Sequence, residues 1–419
     1  MKMHKIYNLN LSSNQITELI VTLFVIVQIQ FLHETGSYET RWSKEILVFV
    51  PFILSLSIFC YRIFVKNKSA DIRSLIFLII IMMTSLVSII ANNDYAIDNF
   101  IFLLVVLEGF FISNSFEFSD YLKGYVNALL IYSIYSLIAT YVILPIVIRT
   151  GLTTFTIYRN IIGTPFLDMV FSYSLYYFGF LRNQGIFREP GVFQVFILFA
   201  IAFELFFNNR KNKAYILIIL FVTLGSTFSI IGYYAVIPLI FAFIISRWDI
   251  IKHKKLRKGN LYLLILLFYL VIFILNSRDV NINITRAYDK ISNVNSDSFQ
   301  VRFGSIVNLI RMAFRNIIFG NSFVNGFNYI QHNFITYGSN DITGTFFSYI
   351  MALGIPVGTY ICMVFFSFCR KVGSNIIIGL LIFISLFISI NSQNLVFNSV
   401  IWACIFMNFK KVKRDKIHV

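Results

Sequence analysis

The sequence predicts an all-α, polytopic integral membrane protein with about twelve transmembrane helices and two long outer loops containing interfacial helices. Composition and the spacing of apolar runs carry that expectation. Of 419 residues, 58% are hydrophobic and only 13% are charged, with a mean hydropathy of +0.77. Runs close to the roughly 20 apolar residues that a helix needs to cross a bilayer recur from end to end. A closed β-barrel would need alternating polarity, and that pattern is absent.

Spans are expected near 15–33, 45–64, 74–91, 99–115, 121–148, 191–207, 214–227, 229–246, 260–276, 345–369, 375–390 and 394–409. Lys2 and Lys5 precede the first, and no small-residue cleavage site follows it, so it reads as an uncleaved span. The stretch 214–246 is long enough for one helix, but both flanks are basic: Arg210 to Lys213 before it and Arg247 to Lys258 after it. Basic flanks stay in the cytoplasm, so the chain must cross twice here, turning near Gly225-Ser226-Thr227. Twelve crossings put both termini in the cytoplasm and leave two long outer loops, 149–190 and 277–344. The chain, 1–419, reads as one integral membrane unit. Within the first loop, 167–181 is aromatic and too short to span, which suits the membrane interface.

The net charge of +16 does not point to nucleic acid, because the basic residues sit in short breaks between spans, as topology requires. Their kinds differ by side. The two long outer loops hold nine arginines and a single lysine, Lys290, whereas lysine dominates inside. Arginine presents a planar fork of donors that grips phosphate or carboxylate at two points. An anionic ligand on the outer face follows. Cys60, Cys362, Cys369 and Cys404 all fall in or beside spans without a CxxC pair, which indicates neither disulfide nor zinc. There is no phosphate-cradling P-loop, no HExxH and no outer carboxylate cluster, so neither metal nor cofactor is expected. Glu18 and Glu204 lie near span ends and read as snorkelling. Glu108 lies deeper, where a carboxyl suits a proton or ion path.

Three constellations carry the chemistry. The first is Arg182–Gln194, RNQGIFREPGVFQ. Proline is tolerated in the first turn of a helix, so the sixth span should begin at Pro190. Its free N–H groups and positive dipole end would then lie beside Arg182 and Arg188, with Glu189 orienting one of them. The second is a helix expected near 298–319, with Asp297 and Gln300 at capping-box spacing and Gly320 as its stop. At 100° per residue, Arg311 and Arg315 share the polar side with Ser305, Asn308 and Asn316. Arg302 falls instead among Ile306, Leu309, Ala313 and Ile317, where a guanidinium needs an anionic partner. The third is Gln331-His332-Asn333, followed by Tyr337, Asp341 and Gly344. His332 is the better placed of two outer histidines to act as a neutral base.

With these residues in view, the chain resembles the O-antigen polymerase and O-antigen ligase superfamily of bacterial membrane glycosyltransferases. The resemblance rests on the twelve-span layout and on RxxGIFREPGVFQ at 182–194. It rests also on TLGSTFSIIG at 223–232, on Arg302 ahead of an IIFGNSF turn, and on HNFITYGSNDITGTFFSYIMALGIPVG at 332–358. It implies a donor glycan on undecaprenyl pyrophosphate at the outer leaflet of the inner membrane. Arg188, Arg302 and His332 take the family's catalytic positions, and Arg182, Glu189, Asn333 and Asp341 are their substrate-binding company. It also implies a chain-length regulator and a flippase as pathway partners. In a polymerase the acceptor is another lipid-linked unit; in a ligase it is the lipid A core. Ligases approach the histidine through a more arginine-rich segment, and 321–331 has no basic residue, which favours a polymerase. A flippase would have the same length and span count, but transporters concentrate polar residues at mid-membrane, not in two unequal outer loops.

Overall fold

In the computed structural model the described residues are 13–30, 44–67, 69–151, 157–159, 165–175, 181–187, 189–252, 297–333 and 342–412. The expected span at 260–276, both chain ends, Arg188 and Asp341 lie outside them. Six described helical stretches are long and apolar enough to cross a membrane: Val48–Val65, Ile72–Ala91, Ile97–Ser115, Phe118–Thr150, Ile230–Arg247 and Ile355–Gly373. Four shorter helices are equally apolar: Gln15–Gln30, Pro190–Phe206, Lys213–Ser226 and Ile376–Asn391. The chain is a helical, multi-pass membrane protein.

In chain order the first helices are α1 (Ser13–Gln30), α2 (Lys44–Cys60), α3 (Ile72–Ala91), α4 (Ile97–Ser115) and α5 (Phe118–Ile138). A π turn at Ala139–Ile143 carries α5 on into α6 (Leu144–Thr150). Then come α7 (Pro190–Phe206), α8 (Lys213–Ser226) and α9 (Ile230–Lys252). The helix is interrupted between α8 and α9 at 227–229, close to the expected turn. The centre of the bundle is α7. Every residue from Gly191 to Leu205 is buried, as expected of a helix that is apolar all round, and α5, α8 and α9 pack against it. Further along lie α10 (Asp297–Ala313), α11 (Phe323–Asn333), α12 (Thr345–Leu353), α13 (Ile355–Gly373), α14 (Ile376–Asn391) and α15 (Ser399–Met407). Of these, α13 and α14 complete the jacket around α7, while α15 packs on α4 and α10 on α12.

Four expectations need correction. The stretch 345–369 is not one span but two helices, α12 and α13, parted at Gly354. That residue has φ +86°, and a Cβ there would lie 2.2 Å from the Ile318 carbonyl oxygen. The break is occupied by 317–322: Ile355 N–H donates to Ile317 O (2.8 Å), Asn321 N–H to Met351 O (2.9 Å) and Ser322 N–H to Ala352 O (3.3 Å). For the same reason α10 stops at Ala313, short of 319, because 317–320 is held against that break. Within 149–190, where an interfacial helix is expected, the described residues hold an antiparallel sheet instead: Ile157–Arg159, Pro165–Asp168 and Tyr173–Leu175 in that order. Phe171 beside it packs its ring on Tyr132 and Tyr135 of α5, so this aromatic stretch is keyed to the bundle. Finally, Glu18 and Glu204 do not simply snorkel. Arg210 lies 3.8 Å from each, and the fully buried Glu204 also accepts from Asn208 (2.7 Å).

Glu108 is buried, and among the described residues its Oε1 has no hydrogen-bond partner. Nearby, Ser399 accepts from Gln28 (3.0 Å), and Gln28 from Tyr121 (3.4 Å). One polar chain thus links α15, α1 and α5.

Gly354→Ala should destabilise the protein by at least about 2 kcal/mol, through its left-handed backbone and the overlap with Ile318. Gly304, in α10, has open space where a Cβ would stand; Gly304→Ala should be neutral or stabilising by about 0.5–1 kcal/mol. Melting temperatures in detergent compare the two.

Candidate functional site

The residues 183–187 are buried although they belong to no helix or strand. The sequence permits this because Asn183 ties the turn together, although among the described residues the buried Gln184 Nε2 has no hydrogen-bond partner. Asn183 donates from its side chain to Ser136 (3.0 Å) and Ser226 (3.1 Å), and its Oδ1 accepts from Gly185 N–H (3.0 Å). Gly185 has φ +56°, and a Cβ there would lie 2.9 Å from the Phe193 ring, so the turn needs glycine. Beyond it the chain enters α7 as expected, with Glu189 as the extended N-cap residue and Pro190 in the first turn.

The other wall is the turn between α8 and α9. The end of a helix leaves carbonyls without partners, and here they are taken by named groups. Gly225 O accepts from the Tyr233 hydroxyl (2.7 Å), and Ser226 O from Asn183 N–H (2.9 Å) and the Tyr141 hydroxyl (3.3 Å). Arg182 takes the last two, donating from Nε to Thr227 O (3.1 Å) and from Nη2 to Phe228 O (3.2 Å). A cation at a helix C-terminus is also favoured by the dipole. Phe228 sits at φ +47°, a left-handed conformation that costs a bulky residue roughly 1–2 kcal/mol, and Arg182 grips its carbonyl. The two sequence motifs at 182–194 and 223–232 therefore meet face to face.

Arg302 joins them. It is half-buried on α10, one turn before the buried Ser305 and on the stripe continued by Leu309, Met312 and Ala313. Its placement on the packed face is as the periodicity predicts, although Ser305 shares that face instead of the polar one. Among the described residues no ion pair or hydrogen bond reaches Arg302 from a carboxylate, and Glu189 acts on it only through its charge. Burial lowers the Arg302 guanidinium from its ordinary value, and the Glu189 charge opposes that. Burial acts on Arg182 in the same way; Glu189 and Tyr233 oppose it, and the like charge of Arg302 adds to it. Arginine remains charged at any physiological pH, so these directions describe two cations within electrostatic reach of each other and of one carboxylate. Arg182, Arg302 and Glu189 together carry a net charge of +1 beside the positive end of α7. An anion with several oxygens would relieve that imbalance.

His332 and Asn333 are exposed in the last turn of α11. Asn333 donates from Nδ2 to Tyr329 O (3.0 Å). Among the described residues no hydrogen bond or ion pair joins His332 to the arginine pair. The structure thus brings together Arg182, Glu189 and Arg302, and places His332 and Asn333 on a separate arm. Sequence reasoning missed Tyr233 and Asn183. Tyr233 directly follows the 223–232 motif, and Asn183 directly follows Arg182, so their positions were the available signal.

No family model, no curated protein and no solved structure matches the chain.

Glu189→Gln should remove the one negative charge that opposes the mutual repulsion of the two guanidiniums. The variant should melt several degrees below wild type in an anion-poor buffer. Inorganic pyrophosphate should then raise its melting temperature by more than it raises that of wild type.

Proposed function

We propose that the protein is a polymerase of lipid-linked polysaccharide repeat units, O-antigen or capsule. In this reading it crosses a bacterial plasma membrane twelve times with both termini in the cytoplasm, and it works at the outer face. The donor is a glycan on undecaprenyl pyrophosphate, and the acceptor is a sugar hydroxyl of another lipid-linked unit. The observation that carries the reading is the meeting of Arg182, Arg302 and Glu189 at the Pro190 end of α7.

The chemistry follows from that arrangement. The acceptor oxygen attacks the anomeric carbon, and the bond from that carbon to the pyrophosphate oxygen breaks. The electron pair leaves with the pyrophosphate, whose negative charge grows in the transition state. Guanidiniums already held in place stabilise that charge without reorganising. Arg302 and the resemblance-assigned Arg188 serve this role, with Arg182 anchored beside them. Glu189 keeps the two positioned cations from repelling each other while the site is empty. His332 accepts the proton of the attacking hydroxyl or positions that hydroxyl. Asn333 and Asp341 accept hydrogen bonds from the incoming sugar.

Arg302→Ala should lower polymer formation by about 10²–10³-fold, and His332→Ala by about 10²–10⁴-fold, with both proteins still folded in membranes. Surface polysaccharide on a gel reads this directly. A deletion strain should keep one repeat unit and lose the ladder, and only wild type should restore it. A pattern without even the single unit would point to ligation or flipping and count against polymerisation. An unchanged ladder with His332→Ala would remove His332 from the mechanism.

A further inference from the structure

The arm that carries His332 is fixed at its base by a residue outside every motif considered so far. Asp94 lies in the corner between α3 and α4 and is buried. Its Oδ2 accepts from the Ser322 hydroxyl and from the Asn325 N–H (2.9 Å). These are the residue before α11 and a donor in its first turn. Asp94 is therefore the N-cap of α11, supplied from a distant part of the chain, and its charge also favours that end of the helix. The corner adds further ties. Asn99 donates to Asp94 O (2.9 Å) and accepts from Phe323 N–H (3.3 Å). Asn325 donates to Asn92 O (2.8 Å), and Asn92 to Gly320 O (3.1 Å). Ser88 accepts from Ser322 N–H (3.0 Å).

These bonds hold the Asp94 carboxyl below the ordinary aspartate range despite the opposing effect of burial. The base of α11 is fixed by packing as well. Phe323 lies 4.5 Å from Phe102 between ring centroids, and Phe323, Gly326 and Ile330 form the buried stripe. Past Ile330 the helix is exposed and ends at His332 and Asn333. From base to His332 the arm is ~15 Å long at 1.5 Å per residue, so a tilt of about 10° at the base moves His332 by ~2–3 Å. A displacement of about 1 Å is already enough to cost ~10²-fold in a positioned reaction.

We infer that Asp94 is a positioning residue that sets the direction of α11 and so the reach of His332, an inference that rests on the polymerase reading for its consequence but not for its geometry. Asp94 itself touches no substrate. Asp94→Asn keeps an oxygen able to accept both hydrogen bonds, whereas Asp94→Ala removes them.

The test combines a cross-link with a product assay. Asn92→Cys and Asn325→Cys are introduced together, with single-cysteine chains as controls, and are joined by a short bismaleimide applied from outside the cell. With Asp94 present the pair should cross-link efficiently. Asp94→Ala should lower the yield several-fold and polymer output at least about tenfold, the loss expected from two hydrogen bonds to a carboxylate. Asp94→Asn should stay near wild type in both. Cross-linking the Asp94→Ala protein should restore most of the polymer. Unchanged cross-linking in Asp94→Ala would overturn the inference, and so would a loss of polymer that the tether does not rescue. The cross-link yield assumes no reaction. If the wild-type chain makes no polymer, the functional reading fails while the placement of α11 by Asp94 is still decided.

Discussion

Two guanidiniums lie within electrostatic reach of each other and of Glu189, at the N-terminus of a helix buried from Gly191 to Leu205. Arg182 and Arg302 arrive from segments more than a hundred residues apart, and Glu189 acts on both. Cations crowded in this way repel each other and lose hydration, so the protein must hold them from behind. It does so for Arg182 through the carbonyls of Thr227 and Phe228, and for Arg302 through the packed face of α10. Much of the irregular backbone serves this end. The buried turn at 183–187 and the α8–α9 turn bring the first arginine in, and the break at Gly354 seats the segment that follows the second.

A consequence is that the positive charge at this site is built in advance of any ligand. An oxyanion arriving there meets donors already oriented, which is the arrangement that favours a transition state over a ground state. The other component is separate: α11 carries His332 on an exposed end, while its base is locked to the corner between α3 and α4. In the polymerase reaction proposed above, charge stabilisation and proton handling would belong to different structural units. Their relative placement depends on α12, against which both α10 and α11 pack.

Features written in local sequence were legible. Pro190 begins α7 because proline suits a first turn, and 214–246 divides at 227–229, close to the Gly225-Ser226-Thr227 turn read from the sequence. Arg302 lies on the packed face because its apolar neighbours recur at helical spacing. Features that depend on distant partners were not. Gly354 breaks an apolar run only because 317–322 supplies backbone partners to the exposed ends. Glu204 is paired by Arg210, which follows it in the chain but folds back beneath it. Asp94 looked like an ordinary loop aspartate, since nothing near it in sequence shows that Ser322 and Asn325 will be its donors.

The most direct measurement is of the purified protein in proteoliposomes supplied with one lipid-pyrophosphate-linked repeat unit. Polymerisation predicts chains longer than one unit and one undecaprenyl pyrophosphate released for every linkage formed. Units that cross the bilayer without growing, or that remain unchanged beside a folded protein, would contradict the account.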